Sequence, residues 1–136
     1  MALDRDWKCV VPGLRVRFYN NSGGALEEGD AITISGGTVA KVDDSCTTGL
    51  YGIVCADVAS ATAGEMYISG LFKVSVYGTV DFAPNDPVYA QSSSTVDTGT
   101  AGDVALGYIA LEDPASGASE VTVAILSILF TATTHA

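Results

Sequence analysis

The sequence predicts an all-β fold: a small β-barrel domain with an internal two-fold sequence repeat and an extended N-terminal arm. Three observations lead to this prediction: a high glycine content, short alternating apolar segments, and similar segments that recur at a fixed offset. Fifteen glycines among many Ser, Thr and Val residues favour short strands joined by tight turns, and long stretches of strong helix formers are absent. A chain of 136 residues suits one domain, or two very small ones that share a core, and buries about two thirds of its unfolded surface.

The predicted domain spans residues 10–130, between an arm over 1–9 and a C-terminal tail over 131–136. The arm is polar and charged, with Trp7 as its one large apolar side chain. Two interpretations of the arm are open. It is either a frayed terminus with Trp7 folded onto the domain edge, or a segment that a partner orders, with Trp7 as the anchor.

Strands are predicted from hydrophobic alternation and from turn signals. Residues 14–18 alternate apolar and basic side chains, which is typical of a half-buried strand. The segment Ser35-Gly36-Gly37 predicts a tight hairpin between strands over 31–34 and 38–42. The alanine-rich stretch 56–64 has no apolar helical stripe and is interpreted as a loop. Further strands are predicted over 52–55, 65–68, 72–76, 87–90, 104–111 and 121–130.

The internal repeat has an offset of 55 positions, from Gly52 to Gly107 and from Glu65 to Glu120. In each half, a glycine that starts one strand lies 13 residues before a glutamate that starts the next. The two halves, approximately 26–72 and 82–127, predict a closed or nearly closed barrel, since closure removes exposed strand edges. The alternative is chance similarity among glycine- and valine-rich β segments.

Two aspartates occupy corresponding turns of the repeat. Asp30 follows Gly29 and Asp86 follows Asn85, each just before a predicted strand. Asp side chains accept hydrogen bonds from backbone N–H groups one or two residues further on and thereby fix turns. We therefore interpret both residues as turn residues and not as catalytic acids.

The charge distribution separates the start of the chain from the rest. The net charge is −10, yet four of the six basic residues lie in the first 17 positions: Arg5, Lys8, Arg15 and Arg17. Phosphate binding needs clustered Lys and Arg, so a nucleic-acid partner is not expected. The basic start can instead meet an acidic protein surface. These four residues and Trp7 are the predicted contacts with a partner protein.

No membrane partner is expected either. The first residues lack the apolar centre of a signal peptide, and the apolar run over 121–130 is too short for a spanning helix. The sequence thus predicts a soluble protein made in the cytoplasm. Its three cysteines, Cys9, Cys46 and Cys55, are odd in number and scattered, which favours reduced thiols over a disulfide framework or a zinc site.

Motifs that carry catalysis are not recognisable. The single histidine, His135, is next to the last residue and is not expected to hold a catalytic geometry. Asp97-Thr98-Gly99 matches the aspartic-protease motif, but the serine-rich stretch 91–95 precedes it, which indicates a hairpin loop. The acidic pairs at 27–28 and 43–44 lack the spacing of a calcium loop. We expect no enzymatic activity, no cofactor and no metal.

An ordered series of motifs resembles one protein family. It comprises Val11-Pro12-Gly13, Gly29-Asp30, Gly52-Ile53-Val54, Ser69-Gly70-Leu71-Phe72-Lys73-Val74, Asn85-Asp86-Pro87-Val88-Tyr89 and Gly107-Tyr108-Ile109, with an apolar strand at the end. Over residues 10–130 this order is similar to the head-decoration, or capsid-cement, proteins of tailed phages. Asn85 stands where that family usually has glycine.

The resemblance implies a compact β-barrel or β-tulip-like subunit. It also implies a virion structural protein on the outer capsid surface, made in the host cytoplasm. It implies homotrimers at three-fold and quasi-three-fold positions of the expanded head, which bridge and stabilise subunits of the major capsid protein. Binding that is specific for the expanded lattice would stabilise it by mass action. A receptor- or glycan-binding β-barrel module of a virion is the alternative, followed by a dimeric aspartic protease.

Overall fold

The computed structural model describes residues 7–42, 50–76, 82–83, 85–90, 95–97, 105–109 and 120–126. Within these ranges all regular secondary structure is β, as predicted. The strands are β1 (Lys8–Pro12), β2 (Arg15–Tyr19), β3 (Ala31–Ser35), β4 (Thr38–Lys41), β5 (Leu50–Val54), β6 (Ala63–Tyr67), β7 (Ser69–Val76), β8 (Pro87–Ala90), β9 (Thr95–Asp97), β10 (Ala105–Ile109) and β11 (Glu120–Leu126).

The strands form two sheets. One has the order β1-β7-β11-β10-β8-β9, and β9 also pairs in parallel with β7. The other has the order β2-β6-β5-β3-β4. The prediction of a closed barrel is therefore wrong for the described residues, because the strands are divided between two sheets and the second sheet leaves β2 and β4 at its edges.

The two sheets have corresponding strand orders. Without β1, the six-stranded sheet has the order β7-β11-β10-β8-β9, and the five-stranded sheet has the order β2-β6-β5-β3-β4. Each strand number in the first order is five higher than the number at the same place in the second, so the two sheets have the same topology. The registers also correspond at one pair, since Gly52 lies opposite Ile32 and Gly107 lies opposite Val88. The sequence repeat itself stays a prediction.

The turns before β3 and β8 have the same hydrogen bonds. Asp30 Oδ2 accepts from Glu27 N–H at 2.8 Å, and Asp86 Oδ2 accepts from Ala83 N–H at 2.7 Å. Both aspartates thus fix turns, but through the amide three residues earlier and not one or two residues later as predicted. The residue before each aspartate has a left-handed backbone, with φ of 91° at Gly29 and 71° at Asn85. Asparagine tolerates this conformation better than most side chains.

Apolar side chains form two core clusters. The smaller one lies against the five-stranded sheet and contains Phe18, Leu26, Ile32, Val39, Val54, Val58 and Met66. The larger one includes Phe72, Val74, Val88, Val96, Ile109, Val121, Val123 and Ile125 of the six-stranded sheet, together with Ala31, Tyr51 and Ile53 of the five-stranded sheet. Since residues of both sheets share this cluster, the two sheets pack against each other.

Most predicted strands are present, as is the hairpin at 35–37. Gly36 and Gly37 have φ of 61° and 84°, which matches the left-handed pair of a type I′ turn. Residues 56–62 form no helix. Two strands, β1 and β9, were not predicted. The arm predicted over 1–9 is not confirmed: residues 1–6 lie outside the described residues, Trp7 is buried, and Lys8 and Cys9 belong to β1.

Candidate protein-binding site

Residues 8–19 form a ribbon that passes from one sheet to the other, and we call it the N-terminal ribbon. Its first strand, β1, pairs with β7 at an edge of the six-stranded sheet. Its second strand, β2, pairs with β6 at an edge of the five-stranded sheet. The ribbon therefore lies antiparallel to residues 63–73 across both sheets. Within the described structure, neither of its strands pairs with a second strand.

Close backbone contacts fix the point where the ribbon changes sheets. Leu14 N–H donates to Ser69 Oγ at 2.9 Å, and Ile68 N–H donates to the Leu14 carbonyl at 2.9 Å. A Cβ on Gly13 would lie 2.4 Å from the Ser69 carbonyl oxygen. A Cβ on Gly70, where φ is +134°, would lie 2.5 Å from the Val11 carbonyl oxygen. Both glycines are required here because no side chain fits between the crossing strands.

Exposed apolar side chains are concentrated on the ribbon. Among the described residues, the large hydrophobic side chains that stay exposed are Val10, Val11, Leu14 and Tyr19, with exposed fractions of 48%, 49%, 66% and 56%. Exposed apolar residues that are scattered singly need no explanation, whereas their concentration on one element marks an interaction surface. The ribbon is therefore the strongest candidate for a protein-binding site.

The ribbon is also the basic part of an acidic chain. Residues 7–26 include Lys8, Arg15 and Arg17 and no Asp or Glu, while the whole chain has a net charge of −10. Lys8 Nζ lies 2.7 Å from Glu120 Oε2, and Arg15 lies 3.6 Å from Glu65 Oε1. The side chains of both pairs are at least a third exposed, so these ion pairs contribute little to stability and can exchange partners.

Of the five predicted contact residues, three lie on the ribbon. Lys8 belongs to β1, and Arg15 and Arg17 belong to β2; all three are exposed. Arg5 lies outside the described residues. Trp7 does not fit the role of an anchor in a partner's pocket, because only 2% of it is exposed.

Trp7 instead belongs to the core of its own chain. Its ring lies 6.4 Å from the Phe72 ring in an edge-to-face arrangement, and its backbone N–H donates to the Gly29 carbonyl at 3.1 Å. The indole Nε1 is buried without a hydrogen-bond partner among the described residues. Burial of this large apolar side chain holds the residue that precedes β1 against the domain.

A cleft of about 270 Å³ lies beside β1, and sequence reasoning missed it. Cys9 and Cys55 both line it, together with Tyr67. Burial raises the pKa of the Cys55 thiol above its ordinary 9.0, although the nearby Arg15 guanidinium acts in the opposite direction. Burial also raises the pKa of the Tyr67 hydroxyl, and negative charge on Cys55, where that thiol is ionised, adds to the effect. The Cys55 thiol and the Tyr67 hydroxyl are therefore protonated at neutral pH.

The other motifs singled out from the sequence are only partly described. Asp97 ends β9 opposite Tyr89, whereas residues 98–100, the acidic pair 43–44, Cys46 and His135 lie outside the described residues. Cys9 and Cys55 are free cysteines. In the part of the chain that the structure describes, no three His, Cys, Asp or Glu side chains are grouped so that they could hold a metal ion.

One sequence feature predicts the first strand of the N-terminal ribbon: the run Val10-Val11-Pro12, which follows Lys8 closely. β-branched residues favour strands, and proline within sheets is found at edges, so this run indicates an edge strand.

The described part of the chain has no helix long and apolar enough to cross a membrane. Neither a family model nor a curated protein matches this sequence.

Proposed function

We propose that this chain is a structural protein that binds the outer surface of an expanded tailed-phage head and cements it. In this proposal it acts as a trimer at three-fold and quasi-three-fold positions, where it bridges subunits of the major capsid protein. The ordered motif series described above suggests the partner. The observation that carries a binding role is the N-terminal ribbon, where exposed apolar side chains and three basic residues lie together on two sheet edges.

The composition of the ribbon suits attachment to a protein lattice. Apolar side chains supply buried area at an interface, and charges of one sign favour a partner surface of the other sign. Contacts that are weak singly become strong when they recur around a shell, because neighbouring copies are held by the same lattice.

We further propose that residues 26–72 and 82–127 are two copies of one architectural unit. The strands that lie wholly within these ranges have corresponding orders, β6-β5-β3-β4 and β11-β10-β8-β9, which supports this proposal. The matching hydrogen bonds of Asp30 and Asp86 support it too. On this view, β1 is a strand that the duplication does not supply, because it has no counterpart in the five-stranded sheet.

The proposed function is tested by adding purified protein to isolated phage heads. The heads of the phage that encodes the chain are prepared in expanded and unexpanded forms, and bound protein is quantified after sedimentation. We expect saturable binding to expanded heads, little binding to unexpanded heads, and a higher disruption temperature for decorated particles. Absence of binding to expanded heads would overturn the proposal, and saturable binding of the free protein to a glycan array would favour the receptor-binding alternative.

A further inference from the structure

The edges of the two sheets share a charge pattern. Among the described strands, β1, β2 and β4 have a neighbour on one side only. Each carries Lys or Arg, and none carries Asp or Glu: Lys8 lies in β1, Arg15 and Arg17 in β2, and Lys41 in β4. An unpaired edge offers backbone N–H and C=O groups to any added strand. Like charges placed opposite each other across two strands are destabilising.

This pattern indicates which kind of strand can be added. Pairing between the edges of two copies of this chain would bring cations together whichever two of the described edges met. A strand that carries acidic side chains would bring opposite charges together instead. The charges on these edges thus disfavour strand pairing between two copies of this chain and favour strand pairing with a different, acidic chain.

The β1 edge differs from the β4 edge in its apolar exposure. All five residues of β1 are exposed, and Val10 and Val11 leave about half of their surface uncovered. In β4 the one valine, Val39, is buried, and Lys41 Nζ lies 3.5 Å from Asp30 Oδ2. The β1 edge therefore offers apolar surface as well as backbone groups to a partner. The β4 edge offers little apolar surface, and the charge of Lys41 there opposes pairing with another strand.

We propose that the β1 edge binds an extended, acidic segment of a partner protein by strand addition. The inference rests on the proposed function, in which that segment belongs to the major capsid protein. The added strand pairs its backbone with β1 and covers Val10 and Val11. Its carboxylates replace Glu120 and Glu65 as partners of Lys8 and Arg15, an exchange that costs little because the present pairs are exposed.

The test places the same acidic substitution on two edges. Val10→Glu puts a negative charge on the β1 edge, and Ala40→Glu, at an exposed position of β4, is the matched control. Binding to expanded heads is measured by sedimentation. We expect Val10→Glu to weaken binding at least about tenfold, because like charges then face each other, and Ala40→Glu to bind as the wild type does. Leu14→Glu, at the most exposed apolar residue of the ribbon, is a second variant outside a strand.

Hydrogen exchange identifies the mode of binding. Amides in residues 8–11 should exchange more slowly on heads than in the free protein, whereas amides in residues 38–41 should be unchanged. If the wild type fails to bind expanded heads, the proposed function and this inference both fall. If the wild type binds, but Val10→Glu and Leu14→Glu bind equally well or Ala40→Glu loses as much, only the inference is overturned. Unchanged exchange over 8–11 would also overturn strand addition.

Discussion

Asp30 and Asp86 accept the same hydrogen bond in corresponding turns, each from the amide three residues earlier, at 2.8 Å and 2.7 Å. They differ in burial: Asp30 is 2% exposed, whereas the hydrogen bond of Asp86 lies at the surface. The same contact therefore has a different energetic weight in the two turns, because the cost of an unpaired amide depends on whether water can replace the lost acceptor.

Asp30→Ala should lower the free energy of unfolding by about 1–3 kcal/mol, because it leaves the partly buried Glu27 N–H unpaired. Asp86→Ala should cost less, since water can reach Ala83 N–H. Asp30→Asn keeps an acceptor and should recover part of the loss. Urea unfolding of the three variants measures these differences. A larger loss for Asp86→Ala than for Asp30→Ala would contradict the assignment.

The side-chain amide of Asn21 joins the end of β2 to β4. Its Nδ2 donates to the Gly37 carbonyl at 2.9 Å, and its Oδ1 accepts from Val39 N–H at 2.9 Å. A residue in a parallel pair of strands makes the same two hydrogen bonds with its backbone: it donates to the residue before its partner and accepts from the residue after it. The side-chain amide of Asn21 reproduces this pattern around Thr38. In the six-stranded sheet, β7 and β9 are joined by backbone pairing at the corresponding place.

Asn21→Ala should remove this connection and cost about 0.5–2 kcal/mol of stability, because the acceptor of Val39 N–H is lost while Gly37 stays open to water. Amide exchange of Val39 should accelerate relative to Val54 N–H, which has a backbone acceptor at Asp30. Asn21→Asp keeps the acceptor but sets a carboxylate oxygen against the Gly37 carbonyl, so it should restore little. If the amide of Val39 exchanges at the same rate in Asn21→Ala as in the wild type, the side chain of Asn21 does not stabilise β4.

The alternation of apolar and polar residues in the sequence predicted the strands that show it. It failed for strands that form only because a neighbouring strand pairs with them. The hairpin at 35–37 was predictable, because two adjacent glycines allow the left-handed turn. β1 has no alternation of burial and is a strand because β7 pairs with it. β9 follows a serine-rich stretch and is held between β7 and β8. These pairings, like the burial of Trp7, depend on contacts that are distant in the sequence.

Only part of the candidate site was predictable, because its charges are visible in the sequence and the exposure of its apolar side chains is not. The basic residues are visible in the sequence as an excess of positive charge near its start. That Val10 and Leu14 are exposed is not visible there, because apolar residues in a β sequence are ordinarily assigned to the core. The two cysteines of the cleft are far apart in the chain, and only the packing of β1 beside the five-stranded sheet brings them to one cavity.

The partly buried thiol of Cys55 makes stability depend on pH on the alkaline side. Its pKa in the folded protein is raised above the ordinary 9.0, mainly by burial. Below pH 9 the thiol is protonated in both states and the fold carries no penalty. As the pH rises above 9, the unfolded chain loses its proton first, so stability should fall with pH.

Melting temperatures between pH 8 and pH 10.5 measure this effect. Cys55→Ser should flatten the decline, and Cys9→Ser is the matched control on the exposed cysteine of the same cleft. Tyr67 titrates in the same direction from its ordinary 10.0, so some decline should persist above pH 10 in Cys55→Ser. An identical decline in Cys55→Ser and the wild type would contradict the role of this thiol.

Trp7 should behave as a core residue and not as part of a mobile arm. It is the single tryptophan of the chain, so the intrinsic fluorescence reports on this residue alone. With 2% of its surface exposed, it should emit at short wavelength and resist quenching by acrylamide in the free protein. Unfolding in urea should shift the emission to longer wavelength in the same transition that circular dichroism detects, because the ring belongs to the shared core cluster.

Trp7→Ala should lower the free energy of unfolding by about 3–5 kcal/mol, since it leaves a cavity against Phe72. Trp7→Phe should cost less: it keeps most of the apolar contact and removes the buried indole N–H, which has no acceptor among the described residues. Val10→Ala, three residues along and half exposed, is the control and should change stability little. If Trp7→Ala unfolds at the same urea concentration as the wild type, and acrylamide quenches the native protein freely, then Trp7 lies in a solvated arm, and the anchor role predicted from the sequence becomes the better interpretation.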